Sequence, residues 1–104
     1  MTDQRITLVA TITVRMDAKE SFHAFEDAAA GNMSDYGGAL ERRIVIEVDA
    51  STFKEVHIVT FPGMETYLQY QNDPRLAQVR PLRQASVVAT ELLTGTDGPI
   101  FGPA

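Results

Sequence analysis

The chain contains no cysteine, which excludes disulfides, thiolate metal sites and thiol nucleophiles together and fits a reducing compartment. Positive charge is also scarce: nine Lys and Arg stand against 14 Asp and Glu, for a net charge of −5. A nucleic-acid partner needs clustered cations to replace phosphate counterions, so none is expected. No stretch approaches the roughly 20 apolar residues of a membrane span, and no membrane partner is expected either. The first apolar segment alternates with threonine from Ile6 to Val14, so it reads as a strand and not as a signal peptide, and the default location is the cytoplasm. The glycine-rich phosphate cradles of nucleotide-binding proteins are missing. Two separated histidines without cysteine supply no metal ligand set. Ser21, Ser34, Ser51 and Ser86 lack the strand–turn–helix elbow of a hydrolase nucleophile.

What remains describes one globular domain. With 104 residues, 44% apolar and 22% charged, the chain can remove roughly 65% of its unfolded surface from water around a single core. The domain is expected over residues 1–94 and an irregular tail over 95–104. Ile6, Leu8, Ala10, Ile12 and Val14 form the apolar face of the first strand, with Thr7, Val9, Thr11 and Thr13 on the other. Asp17 and Glu20 have the spacing of a capping box, which predicts a helix from about Ala18. Ala18, Phe22, Phe25, Ala29 and Met33 would be its buried stripe, Lys19, Glu26 and Asp27 would face water, and the helix would fray at Gly31-Asn32.

Tyr36-Gly37-Gly38 is a turn, Ala39 to Val48 a second strand, Asp49 to Thr52 a hairpin connection and Phe53 to Phe61 a third strand. Pro62 ends the ladder because it has no N–H to donate. A helix from about Met64 to Asn72 would bury Met64, Tyr67, Leu68 and Gln71. Asp73-Pro74 breaks it, a second helical piece carries Leu76, Val79 and Leu82, and Ser86 to Thr94 is the fourth strand. This order predicts an α+β, ferredoxin-like βαββαβ fold: a four-stranded antiparallel sheet with two helices on one face. The uncovered face carries enough apolar residues to predict a homodimer joined sheet to sheet, as in a dimeric α/β barrel. The alternative is a monomer with some exposed valines.

Several of these segments carry a resemblance. The Tyr36-Gly37-Gly38 turn, Phe61-Pro62-Gly63-Met64-Glu65, Tyr70-Gln71-Asn72-Asp73-Pro74 and Arg80-Pro81-Leu82-Arg83-Gln84-Ala85 together resemble a family of uncharacterised small dimeric α/β-barrel proteins, similar in fold to the antibiotic-biosynthesis monooxygenases. The likeness runs from about residue 6 to 94 and is more specific in the second half. Family members commonly carry a serine where this chain has Gly63, an acidic residue where it has Thr60, and a tyrosine in place of Phe22 or Phe25. The wider superfamily includes cofactor-independent oxygenases, isomerases, haem-degrading enzymes and stress-response proteins, so the resemblance implies a fold and not one chemistry.

The candidate chemical groups are few. His57, in the third strand, is a general base by residue type, since histidine titrates near about 6.5; a structural histidine is the alternative. Arg43 and Arg42 point to opposite faces, and Arg43 is assigned to the barrel interior, where it would steady a carboxylate or enolate. A salt bridge to Glu41 is its alternative. Thr11 would add a hydroxyl to the same cavity, and Tyr67 would hydrogen-bond a ligand held between helix and sheet. Arg83 matches a position of the family, while its place near a helix end is a sufficient structural reason for its charge. His23 and Asp27, four residues apart, would make a surface ion pair. The expected function is a cofactor-independent oxygenase or isomerase acting on a small aromatic or polyketide-like molecule, with catalytic His57 and Arg43, ligand-binding Thr11, Tyr67 and Arg83, and no metal or cofactor. The alternative is a non-catalytic small-molecule-binding or stress-associated dimeric module.

Overall fold

The computed structural model describes residues 4–102; positions 1–3 and 103–104, the ends of the expected domain and tail, lie outside the described residues. Strand β1 (Ile6–Arg15) is followed by a single 3-10 turn at Met16–Ala18 and helix α1 (Lys19–Ser34). Strands β2 (Ala39–Glu47) and β3 (Thr52–Phe61) form a hairpin, helices α2 (Met64–Gln71) and α3 (Pro74–Ser86) follow, and β4 (Val87–Gly95) returns to the sheet. The sheet is antiparallel with order β2-β3-β1-β4, the ferredoxin-like arrangement expected. The second of the two expected helices is divided in two.

Local chemistry explains the boundaries. Asp49 Oδ1 accepts from the backbone N–H groups of Ser51 and Thr52 at 2.9 and 2.8 Å, closing the hairpin as an Asx turn. Asp73 does more than break the helix: its carboxylate accepts from the Arg75 N–H at 2.7 Å and caps α3, with Pro74 in the first turn. Gly37 has φ +74°, and a Cβ on Gly38 would lie 2.6 Å from two ring carbons of Phe61, so both glycines are needed where α1 turns into β2.

Several expectations are corrected. The Asp17–Glu20 box does not form, because Asp17 instead accepts from Arg15 at 3.3 Å and α1 begins without a side-chain cap. Helix α1 runs through Gly31-Asn32 to Ser34, ending where the Tyr36 and Gly38 N–H groups both bond to the Met33 carbonyl. On α2 the buried residue is Tyr70, while Met64 and Leu68 are exposed. A helix of 8 residues has little room for a stripe, and Tyr70 wins it by stacking on Phe61 at 5.4 Å between centroids.

All three helices lie over one face of the sheet. Beneath them the core divides into two clusters, one of Ile6, Leu8, Phe25, Ala29, Val59, Phe61, Tyr70 and Leu76 and one of Ile12, Val14, Phe22 and Phe53. Along β3, Glu55 and His57 lie between Phe53 of the second cluster and Val59 of the first, on the same face. The other face presents Val9, Val56 and Ile58 with the exposed Ile44, Ile46 and Leu93. Among the described residues no helix is long and apolar enough to cross a membrane.

Candidate functional site

Strand register puts Ala10, His57 and Arg43 in one rank across three strands, so their side chains rise on the helix-covered face. The register shift at Glu41 in β2 makes this possible, since it inverts the parity of the strand between Leu40 and Arg42. His57 is 4% exposed and Glu55 fully buried. A buried carboxylate is tolerable only with good partners, and Glu55 has them: Arg43 Nε and Nη2 each donate to it at 2.6 Å in a two-pronged clasp, and His57 Nε2 lies 2.8 Å from Oε1. Among the described residues no buried side-chain nitrogen or oxygen lacks a partner.

This geometry assigns the histidine's protons. Burial opposes ionisation of Glu55, but the hydrogen bonds and charges of Arg43 and His57 outweigh it and hold its pKa below the ordinary 4.5. An ionised carboxylate only accepts, so His57 Nε2 carries a hydrogen and donates. The other ring nitrogen is Nδ1. It lies 3.5 Å from Oε2 of Glu26 on α1. Burial raises the Glu26 pKa above 4.5, and the opposing charge of His57 only partly offsets this.

His57 and Glu26 form part of the wall of a cavity of about 390 Å³ between the three helices and strands β1, β3 and β4. Leu8, Ala10, Ile12, Phe25, Val59 and Phe61 make its lining largely apolar. Tyr67 and Tyr70 line it from α2, Arg80 and Arg83 from α3. The Tyr70 hydroxyl is pushed up to about 12 by burial and then by the Glu26 charge, so it remains a neutral donor. Burial likewise raises Tyr67, whose hydroxyl accepts from Gln71 at 3.2 Å.

Of the sequence candidates, His57, Tyr67 and Arg83 meet at this cavity. Arg43 lies behind it, facing Glu55, and the Glu41 alternative fails because Glu41 pairs with Arg5 at 3.1 Å. Thr11 pairs with Val56 and therefore occupies the opposite sheet face, one residue out of phase with Ala10. The expected His23–Asp27 pair is replaced by a contact of His23 Nε2 with Arg43 Nη2 at 3.2 Å. Glu26, expected in water, and Glu55, Tyr70 and Arg80, not singled out, complete the constellation. The strict alternation Phe53-x-Glu55-x-His57-x-Val59 was the readable signal, because it places a charge on an apolar face.

No family model matches the chain, and no curated protein matches it in sequence. Its fold does match solved structures. A protein of unknown function from Rhodopseudomonas palustris superimposes with a TM-score of 0.81 at 16% identity, over 94% of this chain and 85% of that one. SnoaB, a cofactor-independent oxygenase from Streptomyces nogalater, gives 0.73 at 16% identity, over 97% and 99% of the two chains. A candidate antibiotic biosynthesis monooxygenase from Chloroflexus aurantiacus gives 0.65 at 10%, over 97% and 100%. The chain thus has the fold of antibiotic-biosynthesis-monooxygenase-like proteins, with a buried histidine held between two carboxylates at the edge of an apolar cavity.

Proposed function

We propose that this protein is a cofactor-independent enzyme that removes a proton from a small aromatic or polyketide-like molecule bound in the cavity, in the service of oxygenation or isomerisation. The observation that carries the reading is the placement of His57, which lines the cavity with Nε2 at 2.8 Å from Glu55 and Nδ1 at 3.5 Å from Glu26. In the proposed step a substrate C–H or O–H bond breaks, its proton passes to Nδ1, and its electron pair stays on the substrate as an enolate or phenolate. Glu55, kept ionised by Arg43, stabilises the imidazolium that forms. Glu26 takes the proton onward or returns it.

Return of the proton to a different carbon completes an isomerisation. Alternatively, the electron-rich anion reduces dioxygen, placing one oxygen atom on the carbon as a carbonyl and releasing the other as water. Arg43 is a positioning residue in this scheme, since it reaches the reaction only through Glu55. The resemblance to a cofactor-independent oxygenase supports the oxygenation branch at the level of fold alone.

We also propose that a second copy covers the open face of the sheet, where Ile44, Ile46 and Leu93 are exposed, and that the protein acts in the cytoplasm. A second reading, non-catalytic binding of an apolar metabolite, is favoured by the apolar majority of the cavity lining.

The test is incubation with a panel of phenols, anthrones and polyketide-like ketones in deuterated buffer, following C–H exchange by NMR and oxygen uptake at an electrode. Exchange or uptake that falls at least about 100-fold in His57→Gln agrees with a positioned base. Equal rates in the native protein and His57→Gln reject it. Binding without exchange or uptake selects the second reading.

A further inference from the structure

The cavity's polar groups are segregated by charge. His57 and Glu26 come from β3 and α1, whereas Arg80 and Arg83 come from α3. The three-residue spacing puts both guanidinium groups on one side of α3. Each is held by a single neutral acceptor: Arg80 Nη2 donates to the backbone carbonyl of Gln71 at 3.0 Å, and Arg83 Nη2 to Thr90 Oγ1 at 2.6 Å. Neither is in a salt bridge among the described residues, although Arg5, Arg15, Arg43 and Arg75 all are. In a chain with five more acidic than basic side chains, two arginines without a carboxylate partner on the wall of one cavity call for an explanation.

The helix dipole accounts for Arg83, which lies in the last turn of α3. It does not account for Arg80, which sits in the helix interior. The charges of both do reach into the cavity: Arg83 acts on Glu26 and Arg80 on Tyr70. A guanidinium has five N–H donors in a planar fork suited to a two-oxygen anion, and one bond apiece leaves most of them available.

From this we infer that Arg80 and Arg83 receive a carboxylate on the ligand, so that the cavity selects aromatic or polyketide-like acids over their neutral analogues. The inference rests on the reading of this cavity as a small-molecule site and specifies its ligand class. An acid bound this way has its anionic group at α3 and its apolar ring against Leu8, Val59 and Phe61. Its negative charge is then kept on the arginine side of the cavity, apart from Glu26.

The experiment is calorimetric titration of the native protein and of Arg80→Gln/Arg83→Gln with 1-hydroxy-2-naphthoic acid and with its methyl ester. The native protein is expected to bind the acid about tenfold more tightly than the ester, one charge-assisted pair's worth. In the double variant the two affinities should converge, with that of the ester unchanged. Because Arg83 also holds Thr90, a second measurement needs no variant: added salt should weaken acid binding to the native protein and leave ester binding alone. Equal binding of acid and ester by the native protein, a preference that survives in the double variant or is insensitive to salt, or no binding of either probe overturns the inference. A selective, salt-sensitive acid site in a protein whose His57→Gln variant shows unchanged proton exchange would sustain the carboxylate site and reject the proposed catalysis, so the two failures are distinguishable.

Discussion

The two sides of His57 are built from the same chemical group and behave oppositely. On the β3 side, Glu55 is completely buried yet ionised, because Arg43 clasps both of its oxygens and His57 donates to one of them. On the α1 side, Glu26 is only partly buried and has a histidine at 3.5 Å, yet its pKa is pushed up. Burial opposes the charge in both cases; the deciding difference is a short, two-pronged guanidinium contact that Glu55 has and Glu26 lacks. One carboxylate is therefore held as a fixed charge beside the imidazole, and the other is held less firmly in its ionised form. Two like groups driven apart in this way is how a site separates orientation from proton transfer.

The sharpest way to break this contrast is to delete each carboxylate. Glu55→Ala strands Arg43 and His57 and should lower unfolding free energy by about 3 kcal/mol in urea titrations, whereas Glu26→Ala should change it by less than about 1 kcal/mol. Equal losses would mean that the two sides are not different in kind. Next in size is Arg43→Ala, which leaves Glu55 buried without its clasp and should cost about 2 kcal/mol in the same assay, with part of the charge recovered through His23 and His57. Arg83→Ala, at the cavity wall, should leave the urea midpoint near that of the native protein.

The smallest effects should appear in the pH dependence of stability. Glu55 has a folded pKa below 4.5, so the stability it contributes is present above 4.5 and lost as pH falls through the folded value. Glu26 has a folded pKa above 4.5, so its folded form holds a proton that the unfolded chain has released, and stability declines as pH rises from 4.5 through the folded value. Glu55→Gln should flatten the acid limb and Glu26→Gln the limb above 4.5. Exchange of these two outcomes would invert the assignment.

The architecture was legible because β1 largely alternates apolar residues with threonine, β2 and β3 are rich in strand-forming residues, and the proline and glycine punctuation is strong. The site was legible in part. His57, Tyr67 and Arg83 could be picked by residue type, but their neighbours depend on register and on helix phase. Thr11 lies on the face of β1 read for it, opposite Ala10, but Arg43 does not share that face, so the two cannot line one cavity. Arg43 was assigned to the barrel interior with Thr11, but the register shift at Glu41 turns it to the helix-covered face, where its partner Glu55 became visible only once β2 and β3 were paired. Glu26 could have been found: it follows Phe22 by four residues and precedes Ala29 by three, on the margin of the buried stripe of α1. Asp73 was read as a break because its carboxylate's capping role depends on where Arg75 and Tyr36 lie.

The most direct test of the central claim is a nitrogen-15 NMR titration of the His57 ring. The account predicts that Nε2 keeps its hydrogen throughout, donated to Glu55, while Nδ1 is the nitrogen that gains and loses a proton. A neutral ring protonated on Nδ1, with Nε2 titrating, would contradict it.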